Sequence, residues 1–376
     1  MNKLFGWIIV LVVIIGGFYY FTGDKVSTPM NSEPIKIGFI GPLTGDAAAY
    51  GEPIQNGIKL AVDEINKNGG IDGRQVEVIY EDAKCEGPRA VSSTQKLISV
   101  DKVKYIIGGM CSGESLAVVP ITKEARVLQI SPGSSAPKLS GSSPYFFRNN
   151  PNDNQPGAIL ADYVNKNYKR VGIISEKTDY AQGLKEVFIK GVDSSKVTIT
   201  SEDFLTKESD FRSIVTKMKQ AQVDIVFFNV QAPANAIKIA KQLKEMGLNV
   251  PTIGSVFNDK ETLATGLFEG TIFAVNPNLS TDGKGGKLVS DFKARYGKNP
   301  EYAFYVGAAY DDLYLLKQAI EKVGDDSTKV KDYLQSMDSF DGTIGSYSFD
   351  ENGDMIGVHP ILEKVVDGKS VSFSQN

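Results

Sequence analysis

Short apolar runs alternate with amphipathic stretches along most of this chain. Five runs, "IKIGFIGPL", "VEVIYEDA", "KYIIGGMCS", "RVGIISEKT" and "DIVFFNVQA", are rich in Ile, Val, Phe and Tyr and end in small or polar residues. That is the pattern of a parallel strand buried on both faces. Between them, "IQNGIKLAVDEINKNGG" puts Ile54, Ile58, Ala61, Val62 and Ile65 on one helical face and stops at Gly69 and Gly70, where glycine suits a helix C-terminus. "ESLAVVPITKEA", "PGAILADYVNKN", "YAQGLKEVFIKGV", "FRSIVTKMKQA" and "ANAIKIAKQLKEMG" follow the same rule. Strands alternating with helices of this length predict right-handed βαβ units and open, doubly wound sheets. The alternation runs once before about residue 150 and again after it, with "RNNPNDNQPG", Arg148 to Gly157, as a crossing between two lobes. "AVNPNLSTDGKGG" interrupts the second series, a long helix "YAFYVGAAYDDLYLLKQAIEKVG" follows, and short strands finish the chain. That last portion exceeds what one lobe needs, so the chain re-crosses and the two lobes enclose a cleft.

The N-terminus poses a different solvent problem. "LFGWIIVLVVIIGGFYYF", Leu4 to Phe21, carries no charge over 18 residues, and a helix of that length rises roughly 27 Å, close to the hydrocarbon thickness of a bilayer. Lys3 before it and the aromatic cluster Phe18 to Phe21 after it suit a cytoplasmic N-terminus with the body exported. No A-x-A site follows and no cysteine lies near enough for lipid attachment, so the segment reads as an uncleaved anchor, with a cleaved signal as the alternative. "TGDKVSTPMNSE" then forms a polar tether.

Composition narrows the classes. The 41 basic and 45 acidic residues give a net charge of -4 and none of the basic surplus that nucleic acid selects. Two cysteines, Cys85 and Cys111, in an exported chain suggest one disulfide. With a single histidine, His359, far away beside Pro360, they make no metal set, and a histidine-based triad lacks its base. The stretch around Cys111 has the spacing of a nucleophile elbow without a base, so a Cys-nucleophile hydrolase is set aside. No phosphate loop or dinucleotide fingerprint occurs, and no cofactor is expected.

In open α/β sheets ligands sit beyond the carboxyl ends of the strands. That rule selects Tyr50, the segment Cys111 to Ser115, the segment Ser131 to Ser135, Tyr180, Gln231 and the segment Val256 to Asn258. The two serine- and glycine-rich bends, "GGMCSGES" and "ISPGSSAPKL", offer N–H and O–H donors without bulk, which suits a carboxylate. The competing reading is purely structural, with glycines turning the chain and serines capping helices.

"IKIGFIGPLTGDAAAYG", "NGIKLAVDEINKNGGIDGRQVEVIYEDAKC", "YIIGGMCSGES", "ISPGSSAPKL" and "SEKTDYAQGL" together resemble the type I periplasmic solute-binding proteins of the branched-chain amino-acid (Leu/Ile/Val) group. The likeness runs from about Ile35 to Asp354. It implies two Rossmann-like doubly wound lobes joined by a three-crossing hinge, here preceded by a transmembrane helix. In that frame residues 1–23 are the anchor, 24–33 the tether, 34–152 plus 278–359 the first lobe, and 153–277 plus 360–376 the second. It also implies a Cys85–Cys111 disulfide and closure on a solute delivered to the permease subunits of an ABC transporter. Carried over by position, Tyr50 lines the cleft, Ser112 and Ser135 hold a ligand carboxylate with the Gly133 backbone, and Ser134 belongs to the same loop. Tyr180 closes from the opposite lobe and Tyr305 matches an apolar pocket position.

Two departures bear on the solute. Val256 stands where the family places an acid for the ligand ammonium, and Gln231 falls on an aromatic pocket position. A buried ammonium without a charged partner is costly, so either Asp259 supplies the carboxylate or the solute lacks an α-amino group. Phe257 and Asn258 could then frame an aromatic or amide-bearing solute. The expected protein is a small-carboxylate receptor on the extracytoplasmic side of the membrane, not an enzyme. A tethered sensor of the same fold is the alternative to a transport component.

Overall fold

The computed structural model describes residues 33–255 and 259–374. The anchor predicted over Leu4 to Phe21, and Val256, Phe257 and Asn258, lie outside the described residues. Among the described residues, no helix is long and apolar enough to cross a membrane.

The first sheet has the order β2-β1-β3-β4-β5, all parallel: β1 (Ile35–Gly41), β2 (Val76–Asp82), β3 (Tyr105–Gly108), β4 (Leu128–Ser131) and β5 (Phe146–Arg148). Helices α1 (Ala48–Lys67), α2 (Gly87–Ser99) and α3 (Ser112–Ala125) connect its first four strands. Six of the seven β1 residues are buried, as expected of a strand covered on both faces. The second sheet, β15-β14-β10-β9-β8-β6-β7, is built from β6 (Arg170–Glu176), β7 (Thr198–Phe204), β8 (Ile225–Asn229), β9 (Thr252–Gly254), β10 (Ile272–Val275), β14 (Ile361–Val366) and β15 (Lys369–Ser372). Its parallel centre ends in the antiparallel pair β14 and β15. Helices α4 (Asn154–Asn167), α5 (Asp179–Gly191), α6 (Arg212–Gln220), α7 (Pro233–Glu245) and α8 (Lys260–Ala264) belong to this half.

After β10 the chain returns to the first sheet and adds α9 (Gly283–Tyr296), α10 (Ala303–Val323) and α11 (Ser327–Ser336). A small antiparallel sheet follows, made of β11 (Phe340–Gly342), β12 (Gly345–Phe349) and β13 (Met355–Ile356). The predicted long helix is α10, and its buried side chains share a core with those of α1. Gly57 permits that approach, because a Cβ there would lie 2.7 Å from Val306 Cγ1. The chain passes between the sheets three times, after β5, after β10 and after β13. The passages touch: Asn276 Nδ2 donates to Asn150 Oδ1 at 2.7 Å, and His359 Nδ1 lies 2.9 Å from Gln155 Oε1.

One buried cluster opposes the fold. Asp311 and Asp312 are adjacent on α10, with Asp312 fully buried and neither of its carboxylate oxygens hydrogen-bonded. Burial, reinforced by Asp311, holds the Asp312 carboxyl well above its ordinary value. The folded chain therefore keeps a proton that the unfolded chain releases near pH 4, and stability falls as pH rises from there toward the folded value. Asp312→Asn is expected to raise Tm at pH 8 by about 2 °C or more and to change it little at pH 3.5, read by differential scanning calorimetry.

Candidate functional site

Two bends at the carboxyl ends of β3 and β4 form the base of the site. At the first, Glu114 turns back on its own helix start. Its Oε2 accepts the Cys111 N–H at 3.0 Å and its Oε1 accepts the Cys85 N–H at 2.9 Å. Burial pushes this carboxyl up to about 7, against the opposing pull of those backbone donors. The Cys85–Cys111 disulfide, with 5.3 Å between Cα atoms, ties the same two residues covalently. Glu114 lies against the two sulfurs, but their bond leaves no thiolate to join it as a metal ligand. Together these contacts fix Ser112 as the first residue of α3, buried in the fold.

At the second bend, Ser131 Oγ accepts from Gly133 N at 3.3 Å and from Ser134 N at 2.9 Å, and donates to Gly109 O at 2.7 Å. The Ser134 hydroxyl meets Gly109 O at 2.9 Å and Ser115 Oγ at 2.8 Å. Ser112 Oγ then accepts both Ser135 N, at 3.2 Å, and Ala136 N, at 3.1 Å. The bends thus interlock through hydroxyls, and a Cβ at Gly133 would displace the Met110 side chain, 2.1 Å away at Sδ, and crowd Met110 O at 3.0 Å.

The main-chain donors of the second bend have acceptors within the protein, Gly133 N–H among them, and the Ser134 hydroxyl is bonded to its neighbours. A hydroxyl offers two lone pairs and one proton, so Ser112, accepting twice, has its proton left to donate, and no described acceptor takes it. The N–H groups of Ser112 and Gly113, in the first turn of α3, have no helix carbonyl to bond. One hydroxyl and one helix start therefore remain for an anion.

Beside them stands an acid that the sequence reading missed. Asp153, in the first passage between sheets, is 2% exposed, and its Oδ2 accepts from Ser135 Oγ at 3.0 Å. Burial pushes its carboxyl up to about 7, although the Ser135 hydrogen bond and the Arg148 charge oppose the rise. Asp153 and Ser135 line an interlobe cavity of about 90 Å³ with Tyr180, Ser255, Tyr302 and Tyr305, several times the roughly 10–15 Å³ that one water needs. Its only signal in the sequence was a place in the turn-rich crossing.

The lobes meet around this cavity. Tyr50 OH, from α1, donates to Gln231 O at 3.3 Å across the cleft, and its ring packs on Tyr302 and Tyr305 at centroid distances of 4.4 and 6.2 Å. Gln231 N is held by Glu176 Oε2 at 2.8 Å. Its residue lines the cleft mouth with Gly113, Thr178 and Asp179. Tyr180 is buried and its hydroxyl has no hydrogen bond of good geometry, although Ser255 is near. Asp259 is committed on one side, its Oδ1 capping α8 through Thr262 N at 2.9 Å, while Oδ2 has no hydrogen bond of good geometry, although Tyr302 is near.

The profile of the family described as periplasmic binding protein matches residues 34–364. The chain is 33% identical over 354 residues to the Leu/Ile/Val-binding protein BraC3 of Rhizobium johnstonii, covering 92% of this chain and 95% of that one. It is 30% identical to the leucine-, isoleucine-, valine-, threonine- and alanine-binding protein of Pseudomonas aeruginosa, covering 88% and 89%. Among solved structures it is similar to the leucine-binding protein LivK of Thermotoga maritima, with TM-score 0.83, 26% identity and coverage of 90% and 98%. It is also similar to LivJ of Streptococcus pneumoniae in complex with isoleucine, with TM-score 0.79, 30% identity and coverage of 90% and 98%. A third is a Rhodopseudomonas palustris solute-binding protein in complex with 3,4-dihydroxybenzoic acid, with TM-score 0.76, 26% identity and coverage of 91% and 96%. With a matched span of 331 of its 376 residues, the chain belongs to the periplasmic binding protein family.

Proposed function

We propose that this protein is the extracytoplasmic solute-binding component of an ABC-type uptake system, closing its two lobes on a small carboxylate-bearing solute of the branched-chain amino-acid type. The relatives named for leucine, isoleucine and valine support the solute class. The observation that carries the reading is Ser112: buried at a helix start, accepting two N–H bonds, with its own proton free to meet a carboxylate oxygen. In the same reading, the apolar segment Leu4 to Phe21 tethers the protein to the membrane, and the closed lobes present the solute to permease subunits. The lobes are 34–152 plus 278–359 and 153–277 plus 360–376.

Closure is a shift between populations, so the solute must touch both halves to favour the closed one. Ser112, Ser135 and Tyr50 supply one side. Tyr180 and Gln231 supply the other, and Tyr305 walls the pocket from α10. The direct Tyr50–Gln231 contact lends the closed form some stability of its own, which lowers the work left to the solute.

Differential scanning fluorimetry tests the proposal. Leucine, isoleucine, 4-methylpentanoate and benzoate are compared with 4-methylpentanamide and benzamide, uncharged analogues lacking the carboxylate, and with glucose. A ligand at about 100 times its Kd adds about 2.7 kcal/mol to the native state, so at least one carboxylate at 10 mM raises Tm by several degrees. No shift with any carboxylate, or an equal shift with an uncharged counterpart, overturns the reading.

A further inference from the structure

A buried acid adjoins the bends proposed to hold the carboxylate: Asp153 is 2% exposed and accepts from Ser135 Oγ. We infer that Asp153 is the residue that selects for an ammonium group, so that the solute is an α-amino acid and not a plain carboxylic acid. The inference deepens the carboxylate reading and rests on it.

The geometry runs through one residue. Ser135 donates its main-chain N–H to Ser112 Oγ at 3.2 Å and its hydroxyl to Asp153 Oδ2 at 3.0 Å. The N and Oγ of a serine are three bonds apart, as are the ammonium nitrogen and a carboxylate oxygen of an α-amino acid. Ser135 therefore sets the proton donor of Ser112 and the carboxylate of Asp153 at a spacing an α-amino acid can bridge. Asp153 lines the interlobe cavity with Tyr180 and Tyr305, and the phenols of both feel its charge.

The other acids near the cleft are bonded within the protein, exposed, or outside the cavity lining. Glu176 gives one oxygen to Gln231 N and the other to Asn235 Nδ2. Asp259 caps α8 with Oδ1 and approaches Tyr302 with its carboxylate, but unlike Asp153 it does not itself line the cavity. Asp179 is exposed at the rim. Arg148 is the nearest cation to influence Asp153, yet its guanidinium is bonded to Asp354, Ala136 O and Ser140. A carboxylate buried this far from a dedicated cation is poorly compensated, and an ammonium delivered by the solute compensates it.

Isothermal titration calorimetry of the intact exported protein tests the inference with leucine and 4-methylpentanoate, which differ by the amino group alone. The wild type should bind leucine at least about 30-fold more tightly, the scale of one buried charge pair. Asp153→Asn should cut that preference below about threefold, mostly by weakening leucine. Asparagine Oδ1 can still accept from Ser135 Oγ, and the wild-type comparison does not depend on the variant folding. Equal affinities in the wild type, or a preference surviving in Asp153→Asn, overturns the inference while leaving the carboxylate reading intact. If neither acid binds the wild type, the carboxylate reading falls with it.

Discussion

Arg148→Ala is expected to lower the unfolding free energy by about 3–5 kcal/mol, the usual loss when one partner of a buried ion pair is removed. Arg148 is fully buried. Its Nε donates to Asp354 Oδ1 at 2.7 Å, its Nη1 to Ala136 O at 2.8 Å and its Nη2 to Ser140 Oγ at 2.8 Å. Asp354 also takes Ser140 Oγ at 2.6 Å and Asn152 Nδ2 at 2.9 Å. Burial alone would push the Asp354 carboxyl up, but Arg148 and these two donors hold it below its ordinary value. Truncation leaves Asp354 charged with its strongest donor gone, and leaves Ala136 O, in the segment that positions Ser135, with the Leu139 N–H alone at 3.1 Å. Urea denaturation checks the value. A loss under about 1 kcal/mol would mean that water replaces the guanidinium at little penalty.

The second large effect concerns the disulfide. Replacing both Cys85 and Cys111 with serine is expected to cost about 3 kcal/mol by the chain-entropy estimate for a closed loop of this length. The consequence should reach binding, because Cys111 immediately precedes Ser112 and its amide shares the Glu114 carboxylate with Cys85. Denaturation with and without reductant measures the stability loss. Calorimetry on the double variant should show weaker solute binding. Unchanged stability would assign the fixing of this bend to Glu114 alone.

Much of the fold was legible because its central strands are continuous apolar runs. All five runs marked in the sequence correspond to strands, β1, β2, β3, β6 and β8. β7 was not marked, since an edge strand half open to solvent, "TITSEDF", carries polar residues and no apolar run. β5 is only three residues long, and β4 is broken by the polar Gln129, so neither forms a continuous apolar run. At the site, the two bends were legible as bends from their small residues, and Ser112 and Ser135 do meet. The division of labour among the hydroxyls was not, because it depends on which amide faces which oxygen across two loops. Asp153 stayed hidden for a similar reason: an aspartate in a turn-rich stretch is ordinary, and only the fold buries it against Ser135.

Calorimetric titration of Ser112→Ala with the carboxylate solute that most raises the wild-type Tm decides whether this hydroxyl holds the solute. A charge-assisted hydrogen bond from the Ser112 proton predicts an affinity loss of about 10-fold to 100-fold, with the variant folded as judged by its own thermal transition. Wild-type affinity in that variant would contradict the account, since the carboxylate would then have to be held by something other than the Ser112 hydroxyl.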